Sequence, residues 1–249
     1  MQGAGYLAIW SDLAPDNETD YLHWMTREHA AERVGVEGFL AMRLFRTIGT
    51  PERRYFILYE LESADVVGGP DYLARLNAPT PWSQRIMHRL GNFVRGGGHI
   101  EASAGIGQGG YLAALPFEAT PIHDPSALVH DLARTDRIAA ARLLRTDAAQ
   151  TSIQTREKSM RAEDRSFGGL LIIEGLDEAA VRAALSRLKT IAPQFGAEEF
   201  ATLPLYTMFF GLHRRLLPGA DNECLSTWLL ASNATPRVPK WTMRSQPSA

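Results

Sequence analysis

The stretch Asp20-Tyr21-Leu22-His23-Trp24-Met25-Thr26-Arg27-Glu28-His29-Ala30-Ala31-Glu32-Arg33 decides how the chain is read. Its apolar side chains recur every three or four residues, which predicts one amphipathic helix. Leu22, Met25, His29 and Arg33 fall near one face, Trp24 stands to its side, and Glu28 and Glu32 fall on the face left to water. Asn17 or Thr19 offers an N-cap after the turn at Pro15, and Gly35 and Gly38 end the helix. A histidine on an otherwise apolar face has two readings. It is either a core residue bonded to a carbonyl or carboxylate, or a group that gives and takes protons near neutrality.

Working outward, Gly5–Leu13 alternates large apolar residues and predicts a strand. Phe39–Ile48 and Arg54–Leu61 predict two more, joined by the turn Gly49-Thr50-Pro51-Glu52. Residues 64–90 read as helical, broken at Gly68-Gly69-Pro70 and again at Pro79-Thr80-Pro81. Residues 92–101 read as a fourth strand, loosened by Gly96-Gly97-Gly98. The order is β-α-β-β-α-β.

After the glycine-rich run 105–110 the pattern restarts. Gly5-Tyr6-Leu7-Ala8 recurs as Gly110-Tyr111-Leu112-Ala113, and Arg43-Leu44-Phe45-Arg46-Thr47 as Arg142-Leu143-Leu144-Arg145-Thr146. Ile57-Leu58-Tyr59-Glu60 recurs as Leu171-Ile172-Ile173-Glu174, and Gly97-Gly98-His99 as Gly211-Leu212-His213. Residue for residue, His29 then corresponds to Arg134 and Trp24 to Val129, so the second copy lacks the pair. The link 147–166 between its second and third strands is longer and polar. The expected fold class is α+β: two tandem ferredoxin-like β-α-β-β-α-β repeats, residues 1–104 and 105–215. Each would have an open sheet face, and stacking the two faces would close a barrel within one chain. Residues 216–249 lack sustained periodicity and are expected to form a C-terminal arm.

Composition narrows the function. The 249 residues are 45% hydrophobic and 22% charged, ordinary values for a globular protein. A net charge of −2 predicts neither a nucleic-acid nor an anionic-membrane partner. The single cysteine, Cys224, excludes an intrachain disulfide and a thiolate zinc site, and fits a reducing cytoplasm. Residues 1–6 do not read as a secretory signal, and no stretch reaches the roughly 20 apolar residues of a membrane span. His23 and His29 are six apart rather than four, so they do not form a helical metal pair.

The first half resembles the dimeric α/β-barrel superfamily, and in particular its EthD-like and related branches. The residues that carry the resemblance are Trp24-Met25-Thr26-Arg27-Glu28-His29, Gly38-Phe39, Tyr55 to Glu60 and Pro81-Trp82. The superfamily holds cofactor-free monooxygenases, lactone isomerases, polyketide cyclases, dehydratases and haem enzymes, so the resemblance implies a fold and not a reaction. It implies a pocket between the helix layer and the sheet, near the end of the first helix. Haem ligation by His29 or His99 is a minor alternative within it.

On that reading His29, Tyr59 and Arg43 are the candidate catalytic residues. His29 would move the proton. Tyr59 would donate to a substrate oxygen, and Arg43 would stabilise an oxyanion. Trp24, Tyr6, Trp10, Tyr55, Trp82 and His99 are the candidate binding residues, most of them aromatic walls that core packing explains as well. The expected activity is that of a cofactor-independent lyase or isomerase, with no metal, on a small apolar or aromatic molecule. A cofactor-free monooxygenase and a non-catalytic binding protein are the alternatives. The internal pseudo-dimer leaves monomer or homodimer open.

Overall fold

Strands form where large side chains alternate, and the computed structural model places eight of them. The first half runs β1 (Gly5–Leu13), α1 (Glu18–Trp24), a π turn (Met25–His29), α2 (Ala30–Val34), β2 (Phe39–Ile48) and β3 (Arg54–Leu61). A 3-10 turn (Ala64–Gly68), α3 (Pro70–Asn77), α4 (Pro81–Met87) and β4 (Leu90–Ala104) complete it. There follow β5 (Tyr111–Phe117), α5 (Pro125–Ala133), β6 (Ile138–Thr146), α6 (Ala148–Thr151) and α7 (Arg156–Ser159). The last elements are β7 (Gly169–Gly175), α8 (Glu178–Ile191) and β8 (Leu205–His213). The structure describes residues 1–49, 54–118, 121–161, 164–192, 195 and 203–217. Most of the expected turn after Gly49 and the 218–249 part of the expected arm lie outside the described residues.

The expectation of two tandem ferredoxin-like repeats is corrected by the sheet. All eight strands form one closed barrel in the order β1-β3-β2-β8-β5-β7-β6-β4, and every pair in it is antiparallel. A free-standing four-stranded sheet would leave two edges with unpaired backbone groups, and closure removes them. The long β4 does much of this. It pairs with β1 from Leu90 to His99 and with β6 from Gly98 to Ala104. β2 pairs with β8 along the other seam, from Ala41–His213 to Ile48–Leu205. Gly98 lies where β4 passes from one neighbour to the other. A Cβ there would stand 1.9 Å from the carbonyl oxygen of Arg145, so only glycine lets the strands approach this closely. The triple glycine that reads as a weak strand is a close-approach point.

Alternation sorts side chains into three cores. Inside the barrel lie Tyr6, Trp10, Phe45, Phe56, Leu58, Leu144, Ile172 and Tyr206. Under α1–α4 lie Ile9, Trp24, Met25, Tyr55, Ile57, Tyr59, Tyr72 and Phe93. Under α5 and α8 lie Leu115, Val129, Leu132, Leu143, Ile173 and Leu188. Each such side chain stabilises the fold by about 1.5–3 kcal/mol. Residues Met1–Leu217 form one compact unit.

The barrel interior also holds charge. Arg43 makes a two-pronged bond to Glu174, Nη1 to Oε2 at 2.7 Å and Nη2 to Oε1 at 3.2 Å. Arg142 Nη1 donates to Glu174 Oε1 at 2.6 Å, and Glu60 lies 3.6 Å from Arg43 Nε. The backbone closes the group from outside: Gly109 N–H donates to Glu174, Gln2 N–H to Glu60, and Arg142 to the carbonyl of Gly107. Two arginines and two carboxylates thus balance one another's charge inside a nonpolar wall, with Arg43 Nε left in ion-pair contact with Glu60 and without a hydrogen-bond partner among the described residues.

Candidate functional site

The site begins with a helix that is not regular. In an α-helix residues five apart diverge by roughly 140°. The π turn Met25–His29 rewinds the chain so that residues five apart come together. Trp24 and His29 therefore stack, with ring centroids 4.1 Å apart and planes inclined by 31°. Trp24 is not off to the side: its Nε1–H donates to Ser83 Oγ of α4 at 3.1 Å, in the core. Glu28 and Glu32, expected on the wet face, are buried as well. Glu28 accepts from the hydroxyl of Thr80 at 2.6 Å, and that hydroxyl also caps α4 by accepting from Ser83 N–H.

His29 is 4% exposed, and two cavities of about 20 Å³ each meet at its ring. Its Nδ1 is buried with no hydrogen-bond partner among the described residues. Burial, aided by the positive charges of Arg33 and Arg161, holds the imidazole well below its ordinary pKa of 6.5. The ring is neutral at pH 7 and so able to accept a proton. Tyr59, from the helix-facing side of β3, lines the same chamber, and its hydroxyl is also buried without a partner among the described residues. Burial pushes its phenol well above 10, so Tyr59 stays protonated and serves as a donor.

The remaining walls are cationic. Arg33, Arg95 and Arg161 line the chamber, and among its described lining residues Glu157 is the one carboxylate. Arg33 donates to Glu157 and lies 3.5 Å from Glu32. Arg161 lies 3.6 Å from Glu157 and 3.2 Å from Asp164, with its guanidinium 4.0 Å over the Phe93 ring. Arg33 and Arg95 both stand over the Tyr72 ring, at 5.8 and 5.9 Å. Sequence reasoning placed Arg33 on the right face without a role, and it missed Tyr72, Arg95, Glu157 and Arg161.

Thr155, Glu157 and Arg161 come from the link between β6 and β7, which crosses to the first half as a strap. Gly68 N–H donates to Gln150 Oε1 at 2.8 Å, Arg156 N–H to Asn77 Oδ1 at 3.0 Å, and Thr151 to the carbonyl of Gly97 at 3.3 Å. Beyond α7, Arg165 exchanges backbone bonds with Phe93 and Arg95 at 3.0 and 2.8 Å. The only hint of this in the sequence is the length and polarity of the link.

Of the candidates read from sequence, His29, Trp24 and Tyr59 are brought together. Tyr6 and Trp10 are inside the barrel, Tyr6 bonded to Thr146 at 2.9 Å and Trp10 packed 4.5 Å from Phe56. Arg43 is inside as well, committed to Glu174. Tyr55 sends its hydroxyl to Glu18 at the start of α1. Trp82 bonds Asp20 at 2.9 Å on the outer side of the helices. His99 is exposed on β4. Neither histidine faces a haem-sized space in this structure: each cavity at His29 holds about one water, and His99 stands at the surface. Among the described residues no group of three or more His, Cys, Asp or Glu is placed to hold a metal, and no helix is long and apolar enough to cross a membrane.

A larger cleft, about 320 Å³, lies between α5 and the end of α8, lined by Ile122, His123, Asp124, Leu128, Asp131 and Ile191. Its polar groups have structural duties: Asp124 caps α5, and Asp131 pairs with Arg187 at the surface. It gathers no buried unpaired group, so the chamber at His29 is the stronger site.

No protein-family profile and no curated protein matches this sequence. Solved structures do. An anthrone oxidase-like protein aligns with a TM-score of 0.55 at 10% identity, over 86% of this chain and 94% of that one. This chain has the dimeric α/β-barrel fold. A monooxygenase candidate from Fusobacterium nucleatum aligns at 0.49 and 13% identity, over 86% of this chain and 96% of its own. A chlorite dismutase candidate aligns at 0.49 and 13%, over 84% and 96%. At such identities the α/β-barrel likeness speaks of architecture and not of activity.

Proposed function

We propose that this α/β-barrel protein is a cofactor-independent lyase or isomerase in which His29 transfers the proton. The observation that carries this is a buried, neutral imidazole in one chamber with a protonated Tyr59 hydroxyl, His29 Nδ1 and that hydroxyl both without a partner among the described residues. A non-catalytic binding protein would suit a histidine bonded on all sides, which His29 is not. The Trp24–His29 spacing that resembles EthD-like proteins supports the same reading.

The chemistry follows from the groups present. His29 takes a proton from carbon next to a carbonyl, and the C–H electron pair moves to oxygen as an enolate. Tyr59 donates a hydrogen bond to that oxygen, and the neighbouring guanidiniums favour its charge. The imidazolium then returns the proton, to another carbon in an isomerisation or to a departing oxygen in an elimination. The substrate class is a small aromatic or polyketide-like molecule.

A second reading has support in the same place. An enolate formed in a dry chamber can also hand electrons to dioxygen, and the anthrone oxidase-like protein shares the fold. Turnover of aromatic ketones, lactones and phenols by the wild type and by His29→Ala tests both. Loss of turnover in a folded His29→Ala protein is expected, and retained turnover overturns the role of His29. Turnover that stops when dissolved oxygen is removed selects the oxygenase.

A further inference from the structure

We infer that the chamber is a carboxylate site, and that Glu157 is the resident plug a substrate carboxylate displaces. The inference rests on the proposed site at His29 and names what it binds.

Charge points to it first. Three arginines line the chamber against one carboxylate. Arg33 also has Glu32 and Arg161 also has Asp164, but Arg95 makes no ion pair among the described residues. Its guanidinium stands 5.9 Å over the Tyr72 ring, and the residue is 6% exposed. A buried cation without an anion is costly, and a bound anion removes the cost. The seat has the shape of a carboxylate because one already sits in it: Glu157 accepts from Arg33 beside Arg161.

Space points to it second. A cavity of about 20 Å³ admits a water and no substrate, so some wall must move. β1, β3 and β4 are fixed by the barrel, and the helix carrying His29 is held by Trp24 and Ser83. The strap segment that carries Thr155 and Glu157 is held more lightly, by the backbone bond of Arg156 N–H to Asn77 Oδ1 at 3.0 Å and by Glu157 itself on Arg33. α6 and α7 are four residues each and belong to no strand pair. Lifting α7 removes Glu157 from Arg33 and opens the seat in one motion. The ligand that fits carries a carboxylate on a small apolar body, its oxygens on Arg33 and Arg95 and its body against Phe93, Ile9 and the His29 ring.

The test is calorimetric titration of the full chain with benzoate and with uncharged benzamide. Benzoate is expected to bind and benzamide not. Glu157→Gln, which removes the internal competitor, should tighten benzoate about tenfold, equal to about 1.4 kcal/mol. Arg95→Gln should abolish binding in either background. Equal binding of both probes, or no benzoate binding by wild type and Glu157→Gln alike, overturns the site; so does full binding by Arg95→Gln. A second measurement needs no variant: benzoate should speed amide hydrogen exchange over residues 155–161 of the wild-type chain, and binding with unchanged exchange overturns the plug. The role of His29 is judged separately, by turnover. The two failures are therefore read from different measurements.

Discussion

The rings of Trp24 and His29 lie 4.1 Å apart because the turn between them is π-helical. The indole N–H bonded to Ser83 Oγ fixes the tryptophan, and the tryptophan in turn fixes the plane of the imidazole. Trp24→Phe keeps a ring there and strands the Ser83 hydroxyl in the core. A loss of about 1–3 kcal/mol in urea unfolding is expected, with the denaturant dependence unchanged. A variant as stable as wild type would show that the bond holds nothing in place.

Proton transfer by one positioned group contributes about 10²–10⁴-fold in rate. His29→Gln should lose that much in kcat while keeping the far-ultraviolet dichroism of the wild type. Tyr59→Phe, which removes one donor, should lose about 10-fold to 10³-fold. Equal activity of Tyr59→Phe and wild type would take Tyr59 out of the reaction.

Because burial lowers the folded-state pKa of His29, the unfolded chain binds more protons between that value and about 6.5. Stability therefore rises with pH through this window. It is fully present above about 6.5 and is lost as pH falls toward the folded-state value. Unfolding midpoints from pH 7.5 downward should show the decline, and His29→Gln should show a shallower one. Parallel curves would mean that other groups account for the decline.

Glu174 is shared by Arg43 and Arg142 inside the barrel. Glu174→Gln leaves two guanidiniums with Glu60 alone, and about 3–5 kcal/mol should be lost. Arg43→Ala should likewise destabilise while sparing turnover per folded molecule, since Arg43 is bonded inside the barrel. A selective fall in kcat would return Arg43 to the chemistry.

Gly98→Ala tests closure of the barrel. Its Cβ would overlap the carbonyl oxygen of Arg145, and that atom belongs to the strand across the seam. At least the 1–3 kcal/mol of an overpacked core should be lost. Gly110→Ala, where a Cβ meets nothing within 4 Å, should be close to neutral.

Much of this was legible in the chain. Alternation placed β1, β2 and β3 with the boundaries they have, because a strand's two faces depend only on its own side chains. The same counting put Tyr55, Ile57 and Tyr59 on one face of β3, and the helix with His29 followed from its apolar period. What the sequence could not decide was who meets whom. Pairing of β4 with β6 and of β2 with β8 made one closed barrel where two repeats were expected, since closure depends on strands distant in the chain satisfying each other's edges. The π turn is a choice of one hydrogen-bond register over another, made by packing against Ser83 and Thr80, and it carried Trp24 onto His29. Glu157 lies 124 residues from Arg33. No local pattern could announce that a polar link from the second half would supply a carboxylate to the chamber in the first.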